Sequence, residues 1–344
     1  MIEISFDLGH PAHYLTFRNV LKNSENLGFK PFIFIQEKDV LKKLLINDGF
    51  KFHIRRNKGT TISRISLFPR DIVYLRKLFK NRNIIANFAK CSPVGSCVAK
   101  SLNKRSIELD DTEPAYGQIF LFRWTATEIW TPHCYYRDLG PKHKKFKGLI
   151  QLAYLHPSVF KPDKSIPRSY GLLERGKHIL IRLITYQAAH DWKYRNKIEN
   201  YDEIIKKLDR DYNVVLSIEG KYYPKKWVKY IKNFTPSEYH HILAYSKLYI
   251  GSGASSAAEA AVLGVPSIYS NYETRGFILW LEKKYGIINS IRADLLNFEN
   301  LKDTLEKKES EWLNVQKKIL DYCINVPNFI KNLVKREIEI YYNQ

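Results

Sequence analysis

The sequence predicts an α/β protein with two parallel-sheet domains and a helical tail. Three observations carry this. Short apolar runs of strand length alternate with stretches of helical periodicity, the pattern that builds βαβ units. The alternation stops at a proline-bearing stretch near the middle and then restarts. Past residue 297 the periodicity is helical throughout.

The elements follow in order. Residues 2–7 form a first strand, broken by Gly9-His10-Pro11. Residues 13–27 place Leu15, Val20, Leu21 and Leu27 at helical spacing, and Gly28 closes that helix. Residues 31–35 read as a strand, 37–47 as a helix ended by Asp48-Gly49, and 51–56 as a third strand. Further strands are expected at 83–88, 106–109 and 128–130, with helical stretches between them. Residues 154–175 hold Pro157, Pro162, Pro167 and Gly171 with little periodicity, which suits a linker. The alternation then resumes: strand 178–184, helix 197–208, strand 214–218, helix 237–245, strand 248–250, helix 255–263 and strand 266–269. Helices at 301–324 and 328–342 complete the chain. The expected boundaries are a first domain at 1–155, a linker at 156–176, a second domain at 177–325 and a C-terminal helix at 326–344.

Composition limits the partners. The 344 residues are 44% hydrophobic and 26% charged, enough for a sizeable core and wrong for a disordered or fibrous chain. Lys+Arg 56 against Asp+Glu 35 gives +21, which calls for an anionic partner: nucleic acid, anionic membrane or phosphorylated substrate. No basic repeat, zinc pattern or stacking motif supports nucleic acid, so none is expected. Cys91, Cys97, Cys134 and Cys323 form no CxxC pair and point to a reducing compartment. The first ten residues lack the features of a signal peptide, and no apolar run reaches the about 20 residues that span a bilayer. The expected location is cytoplasmic, with the inner face of the cytoplasmic membrane as the surface a basic chain would touch. Residues 64–82 interleave apolar and basic side chains at near-helical spacing. They read as an amphipathic helix burying Ile72, Leu75 and Phe79, with a basic face suited to an anionic interface.

In open α/β sheets ligands bind at the carboxyl ends of strands, so the loops there carry the candidate chemistry. The strongest is Gly251-Ser252-Gly253-Ala254-Ser255-Ser256, a small-residue loop between a strand and a helix. N–H groups at a helix start attract phosphate, and Gly251 and Gly253 let the backbone approach it, with Ser252, Ser255 and Ser256 as hydroxyl donors. Helical side chains tilt toward the N-terminus, so Glu259 can lean back toward a ligand there; a carboxylate behind a phosphate cradle suits a ribose diol. A tightly packed turn with a solvated Glu259 would use the same residues. Gly9-His10-Pro11-Ala12-His13 joins the first strand to the first helix. His10 and His13 are candidates for ligand contact, with His13 favoured as a base at the helix start. Asp110-Asp111-Thr112-Glu113 follows another strand and is expected to open a helix. It is either a capped helix start or a set of ligand-facing groups, with Asp111 and Glu113 as acid/base candidates and Asp110 and Thr112 as substrate contacts. No second oxygen cluster completes a metal site, so no metal is expected. Arg182 places a charge inside an apolar strand and needs either a diphosphate or a core acid, with His190 in the next loop as a possible companion.

The run from Gly253 to Ile268, with Glu259 and the closing Gly264-Val265-Pro266-Ser267-Ile268, resembles the nucleotide-sugar signature of GT-B glycosyltransferases, in particular the lipid II-forming N-acetylglucosaminyltransferase type. Ser256 stands where that signature has Thr, and the Gly-x-Gly-Gly-His loop of those transferases is missing at 9–13. Phe6-Asp7-Leu8-Gly9-His10-Pro11-Ala12-His13, Asp110-Asp111-Thr112-Glu113 and Leu152-Ala153-Tyr154-Leu155-His156-Pro157 resemble the domain-of-unknown-function 354 family, which is similar both to GT-B transferases and to non-hydrolysing UDP-N-acetylglucosamine 2-epimerases. The resemblance implies a GT-B-like fold of two Rossmann-like domains facing a cleft. The acceptor would lie on the first domain and the donor nucleotide on the second, with the last helix crossing back to the first. It also implies donor-sugar contacts from the loop 271–276. There Glu273-Thr274-Arg275 has the residue types of the epimerases' Thr-Glu-Arg run in altered order. The expected function is transfer from a nucleotide-diphosphate sugar to a glycan or polyprenyl-linked acceptor in building a surface polysaccharide or glycolipid, with no cofactor. The alternative is a UDP-sugar 2-epimerase using Asp111, Glu113 and Glu273.

Overall fold

The apolar runs become strands covered on both faces, as parallel sheets require. All six residues of β1, Glu3–Leu8, and all seven of the strand Ile84–Lys90 are buried. A computed structural model describes residues 1–55, 61–172, 174–184, 192–219 and 223–344, with the backbone alone for 61–67, 184 and 192–199. After β1 come α1 Pro11–Lys22, β2 Lys30–Gln36, α2 Asp39–Asn47, β3 Phe52–Arg55, α3 Thr61–Lys80, β4 Ile84–Lys90 and α4 Pro93–Ser101. Then follow β5 Arg105–Leu109, α5 Tyr116–Thr125, β6 Glu128–Pro132, β7 His143–Phe146 and α6 Leu152–Leu155. The second half holds α7 Ser165–Ser169, β8 His178–Ile184, α8 Trp192–Leu208, β9 Asn213–Glu219, α9 Tyr239–Ala244, β10 Leu248–Gly251, α10 Ala254–Val262, β11 Ser267–Ser270, α11 Gly276–Tyr285 and β12 Ile288–Ile291. It closes with α12 Lys302–Glu306, α13 Glu309–Tyr322 and α14 Val326–Tyr342.

The chain divides into two units: Met1–Val159 with Cys323–Gln344, and Phe160–Tyr322. In the first, the described strands run in the order β3-β2-β1-β4-β5-β6-β7, every pair parallel. Its centre is polar. Ser5, Asn87 and Ser106 share a register row: Ser5 Oγ donates to Asn87 Oδ1 (2.9 Å), and Asn87 Nδ2 donates to Ser106 Oγ (3.1 Å). Gly95 of α4 lies over this row; a Cβ there would come within 2.6 Å of Asn87 Oδ1, so only glycine lets the helix approach. α14 packs on this unit through Ile330, Leu333 and Val334. It is tied down by Glu337, whose fully buried carboxylate pairs with Arg105 of β5 and with Arg336.

In the second unit the described order is β12-β11-β10-β8-β9, again all parallel. Ile179, Ile181, Leu216, Leu248, Ile250 and Ile268 form its core with Ile204 and Leu208 of α8.

The structure corrects several expected elements. α1 opens at Pro11, with His10 as its N-cap, and stops at Lys22; proline suits the first turn, where an N–H has no partner, and residues 23–28 are turns ending in Gly28 at φ +79°. Asp110–Glu113 do not open a helix: Pro114 follows them, Ala115 is the cap, and α5 starts at Tyr116. The expected helix 301–324 breaks at Lys307 and Lys308 into α12 and α13. Strands β7 and β12 and helix α11 were not read from the sequence. In α3, Leu75 and Phe79 are buried, but Ile72 is only half-buried.

Candidate functional site

Each sheet has one place where its strand order reverses direction, the position at which open α/β sheets take ligands. In the second unit β8 is flanked by β9 on one side and β10 on the other, so the reversal falls between β8 and β10. Gly251, the last residue of β10, lies in register with Arg182 of β8 there. In the first unit it falls between β1 and β4, whose ends lead into Gly9–His13 and Lys90.

In the second unit the tight approach at the reversal point requires glycine: a Cβ on Gly251 would stand 2.8 Å from the Arg182 carbonyl oxygen and run into the Tyr249 ring. Gly253 is the N-cap of α10 in extended backbone (φ −84°, ψ 110°). Among the described residues no side chain caps this helix, so its first-turn N–H groups are left to solvent or a ligand. Asn271 Nδ2 donates to the Ser252 carbonyl (2.9 Å) and fixes the loop from the side of β11. One turn into α10, Glu259 is buried, its Oε1 3.5 Å from His240 Nε2. Arg182 pairs with Glu219 at the end of β9, and its guanidinium lies 4.9 Å over the Tyr239 ring. The Glu219 side chain is about half exposed, so it is a strand-end partner and not a core acid. Burial pushes the Tyr239 phenol up to about 12, with Arg182 opposing the rise and Glu259 adding to it. Glu273 is exposed and its carbonyl accepts from Tyr269 Oη (2.7 Å); Arg275 caps α11 with its backbone, and its buried Nη1 has no hydrogen-bond partner among the described residues. His190 lies outside the described residues.

In the first unit, Ala12 N–H donates to His10 Nδ1 (3.2 Å), so His10 caps α1. Gly9 N–H donates to His13 Nδ1 (3.2 Å). Burial first, then the charges of Lys90, His10, Lys38 and Arg55, hold His13 well below its ordinary range. A neutral ring whose Nδ1 accepts carries its proton on Nε2, so this histidine presents a donor rather than a lone pair. Asp110 is fully buried and anchors its loop: Tyr135 Oη donates to Oδ2 (2.7 Å) and Thr112 N–H to Oδ1 (3.0 Å). Burial pushes the Asp110 carboxyl up from 3.8 to about 6, with Tyr135 opposing and Asp111 reinforcing. Asp111 takes Lys90 Nζ at 3.1 Å (Oδ1) and 3.2 Å (Oδ2), Gln151 Nε2 at 3.3 Å and the Thr112 hydroxyl at 3.2 Å. Glu113 is buried beside them, with its carbonyl held by Arg137 (2.8 Å).

The helix after β4 offers no anion site. Gly95 N–H donates to Asp7 Oδ2 (2.9 Å) and Ser92 N–H to Glu108 Oε2 (3.5 Å), so the protein's own buried acids occupy the start of α4. Arg55 pairs with Asp7 at 3.1 Å. Burial, then the neighbouring Asp7, drives Glu108 well above the usual carboxylate range.

The structure thus gathers Arg182, Gly251, Ser252, Gly253, Ser255, Ser256 and Glu259 in one unit and His10, His13, Asp110, Asp111, Thr112 and Glu113 at the strand ends of the other. Lys90, Tyr135, His240, Tyr239 and Tyr249 were missed. Only Lys90 left a trace, as a lone cation ending the apolar run 84–90. Among the described residues no group of three or more His, Cys, Asp or Glu side chains is arranged to hold a metal ion. No described helix is long and apolar enough to cross a membrane.

Two parallel α/β units with their reversal points so furnished define the GT-B-like class of fold. Within it, the chain matches the family described as Protein of unknown function (DUF354) over residues 2–313 and belongs to that family. No curated protein sequence matches it. Among solved structures it resembles the UDP-GlcNAc 2-epimerase of Methanocaldococcus jannaschii in complex with UDP-GlcNAc and UDP (14% identity, TM-score 0.71, 100% of both chains). It also resembles S. aureus MnaA bound to UDP (14%, 0.70, 100% of this chain and 97% of that one). A third is the spinosyn forosaminyltransferase SpnP (10%, 0.66, 97% and 99%). Identities this low establish the shared fold and leave the reaction open.

Proposed function

We propose that the protein is a glycosyltransferase that uses a nucleotide-diphosphate sugar. One observation carries the reading: at the reversal point of the second sheet, glycine brings the backbone close, no described side chain caps the N-terminus of α10, and the carboxylate Glu259 stands one turn behind it. In this reading the diphosphate takes the first-turn N–H groups of α10, Arg182 turns from Glu219 to the phosphate, and Glu259 accepts from the ribose hydroxyls. That the solved relatives include proteins bound to UDP and UDP-GlcNAc supports a nucleotide-sugar ligand.

The first unit serves the acceptor. A carboxylate of Asp111 or Glu113 takes the proton of the acceptor hydroxyl, and His13 donates through Nε2. The acceptor oxygen bonds to the anomeric carbon as the bond from that carbon to the phosphate oxygen breaks. The electron pair leaves with the nucleoside diphosphate, whose charge the α10 N-terminus and Arg182 stabilise. No metal or other cofactor belongs to this reading. A glycan or polyprenyl-linked acceptor for a surface polysaccharide or glycolipid, held near an anionic inner membrane face, fits the net charge of +21.

A second reading, epimerisation at sugar C2, draws on the buried acids at Asp110–Glu113. One experiment separates the two: candidate UDP-sugars are incubated with the protein in deuterated water without acceptor. Transfer predicts no deuterium at C2, and release of nucleoside diphosphate only once acceptor is added. Deuterium at C2 together with a new epimer overturns the transferase reading in favour of epimerisation.

A further inference from the structure

Helix α5 has two apolar faces and the core uses one. Ile119 and Phe122 are buried and pack with Ala126, Ile129, Tyr135 and Leu139. On the opposite side Tyr116, Phe120 and Trp124 recur every four residues and so share a face, with 67%, 66% and 59% of their surfaces exposed. Tyr136, 56% exposed, lies in the loop after β6, next to Arg137, whose guanidinium reaches the Tyr116 ring. Three large aromatics in a line on a ten-residue helix are costly to leave in water, and more than half of each stays outside the core.

The surroundings state the chemistry of the partner. The Arg137 guanidinium lies 4.4 Å over the Tyr116 ring, and that of Arg123 lies 5.7 Å from the Trp124 ring. Lys100 and Lys142 both donate to the Trp124 carbonyl, at 2.9 and 3.3 Å. α5 itself carries no acid. From residue 116 to 147 six cations face two acids, and one of these, Glu128, is already engaged by Arg105, Lys144 and Arg336. A flat helix of about 15 Å with Tyr and Trp on one face and a rim of Arg and Lys suits the headgroup layer, where amphipathic rings sit at the boundary and cations meet lipid phosphate.

We propose that the Tyr116–Phe120–Trp124 face of α5, with Arg123, Arg137 and Lys142 at its rim, docks the protein on an anionic phospholipid surface. This rests on the membrane partnership proposed above and gives it a location. α5 begins just past Glu113, so docking sets the Asp110–Glu113 loop beside the headgroups, where a lipid-linked acceptor would present its hydroxyl.

The test uses the full chain and phosphatidylcholine vesicles with and without phosphatidylglycerol. Wild type sediments with the anionic vesicles, is released by salt and binds neutral vesicles weakly. F120S/W124S lowers the partition coefficient at least about tenfold, and R123Q lowers it about fivefold, with melting temperatures unchanged because all three side chains are exposed. Brominated acyl chains quench wild-type tryptophan fluorescence, and W124F removes part of that quenching. If F120S/W124S binds like wild type, or W124F quenches like wild type, the α5 proposal fails while membrane binding stands through another surface. If wild type does not bind at low salt, both fail. If sedimentation equilibrium shows a dimer that F120S/W124S dissociates, the face joins two copies and the proposal is overturned. Nucleotide affinity is measured separately and is unaffected by any of these outcomes, so a failure here is distinct from a failure of the donor-site reading.

Discussion

Replacing Lys90 with methionine removes a cation and keeps most of its volume. Lys90 ends β4 at 4% exposure and holds both oxygens of Asp111, itself 3% exposed. Without it a buried carboxylate faces Asp110 with neutral Gln151 and Thr112 beside it, and losing one member of a buried pair costs about 3–5 kcal/mol. Turning Asp111 into asparagine removes the charge that K90M leaves buried without its cation. K90M/D111N should therefore recover at least half of the loss at neutral pH. A second effect reads the same charge from the other side. Lys90 is the largest cationic influence holding His13 down, so His13 should titrate higher in K90M than in wild type. Urea denaturation of wild type and the single and double variants gives the cycle, and the imidazole proton resonance of His13, assigned through H13Q, gives the titration. A K90M loss below about 1 kcal/mol, or a double variant no more stable than K90M, would refute the buried pair as described.

Gly251→Ala should destabilise the second unit and abolish nucleotide binding, since its Cβ would stand 2.8 Å from the Arg182 carbonyl. Gly253→Ala, with its nearest atoms 3.7 Å away, should keep the melting temperature and lose affinity only because the ligand needs the space; equal affinity in G253A and wild type, by calorimetry, would remove the diphosphate from this loop. Asp110 binds its proton with a constant raised from 3.8 to about 6, so the folded state holds more protons than the unfolded one in that window. Its stabilising contribution is complete below the lower value and is lost as pH rises through about 6, about 3 kcal/mol in all. D110N should lose this component, so parallel pH–stability profiles for wild type and D110N would show that Asp110 titrates normally.

The central strands were legible because a parallel strand covered on both faces carries apolar residues on both, and Ile4, Phe6 and Leu8 of β1, Ile84, Ile85 and Phe88 of β4 and Leu248–Ile250 of β10 show through the few buried polar residues among them. β7 was not legible for the opposite reason: it is an edge strand, and its His-Lys-Lys-Phe sequence turns cations outward. β12, at the other sheet's edge, breaks its apolar run with Asn289 and Ser290. The Gly251 loop and Glu259 could be read because their spacing along one strand–helix turn fixes their relation. The Lys90–Asp111 pair could not, because it is made by the parallel pairing of β4 with β5, which sets Lys90 against Leu109 and brings residues 21 apart into contact. The same holds for His240 and Glu259, which meet only once α9 packs on α10. His13 was read as a helix-opening base because Pro11 was taken as a breaker; as the first residue of α1 it leaves His13 inside the first turn, with Nδ1 turned to Gly9.

The claim at the centre of this account is that a nucleoside diphosphate binds the second unit with its ribose on Glu259. Calorimetric titration of UDP, GDP and CMP into wild type and Glu259→Gln tests it directly, with circular dichroism to confirm that the variant is folded. The account predicts that wild type binds a nucleoside diphosphate and that E259Q weakens it by about 1.5–3 kcal/mol, roughly 10- to 150-fold, the cost of losing a hydrogen bond to a charged group. Unchanged affinity in E259Q for every nucleotide that wild type binds, or no binding of any nucleoside diphosphate to wild type, would contradict it.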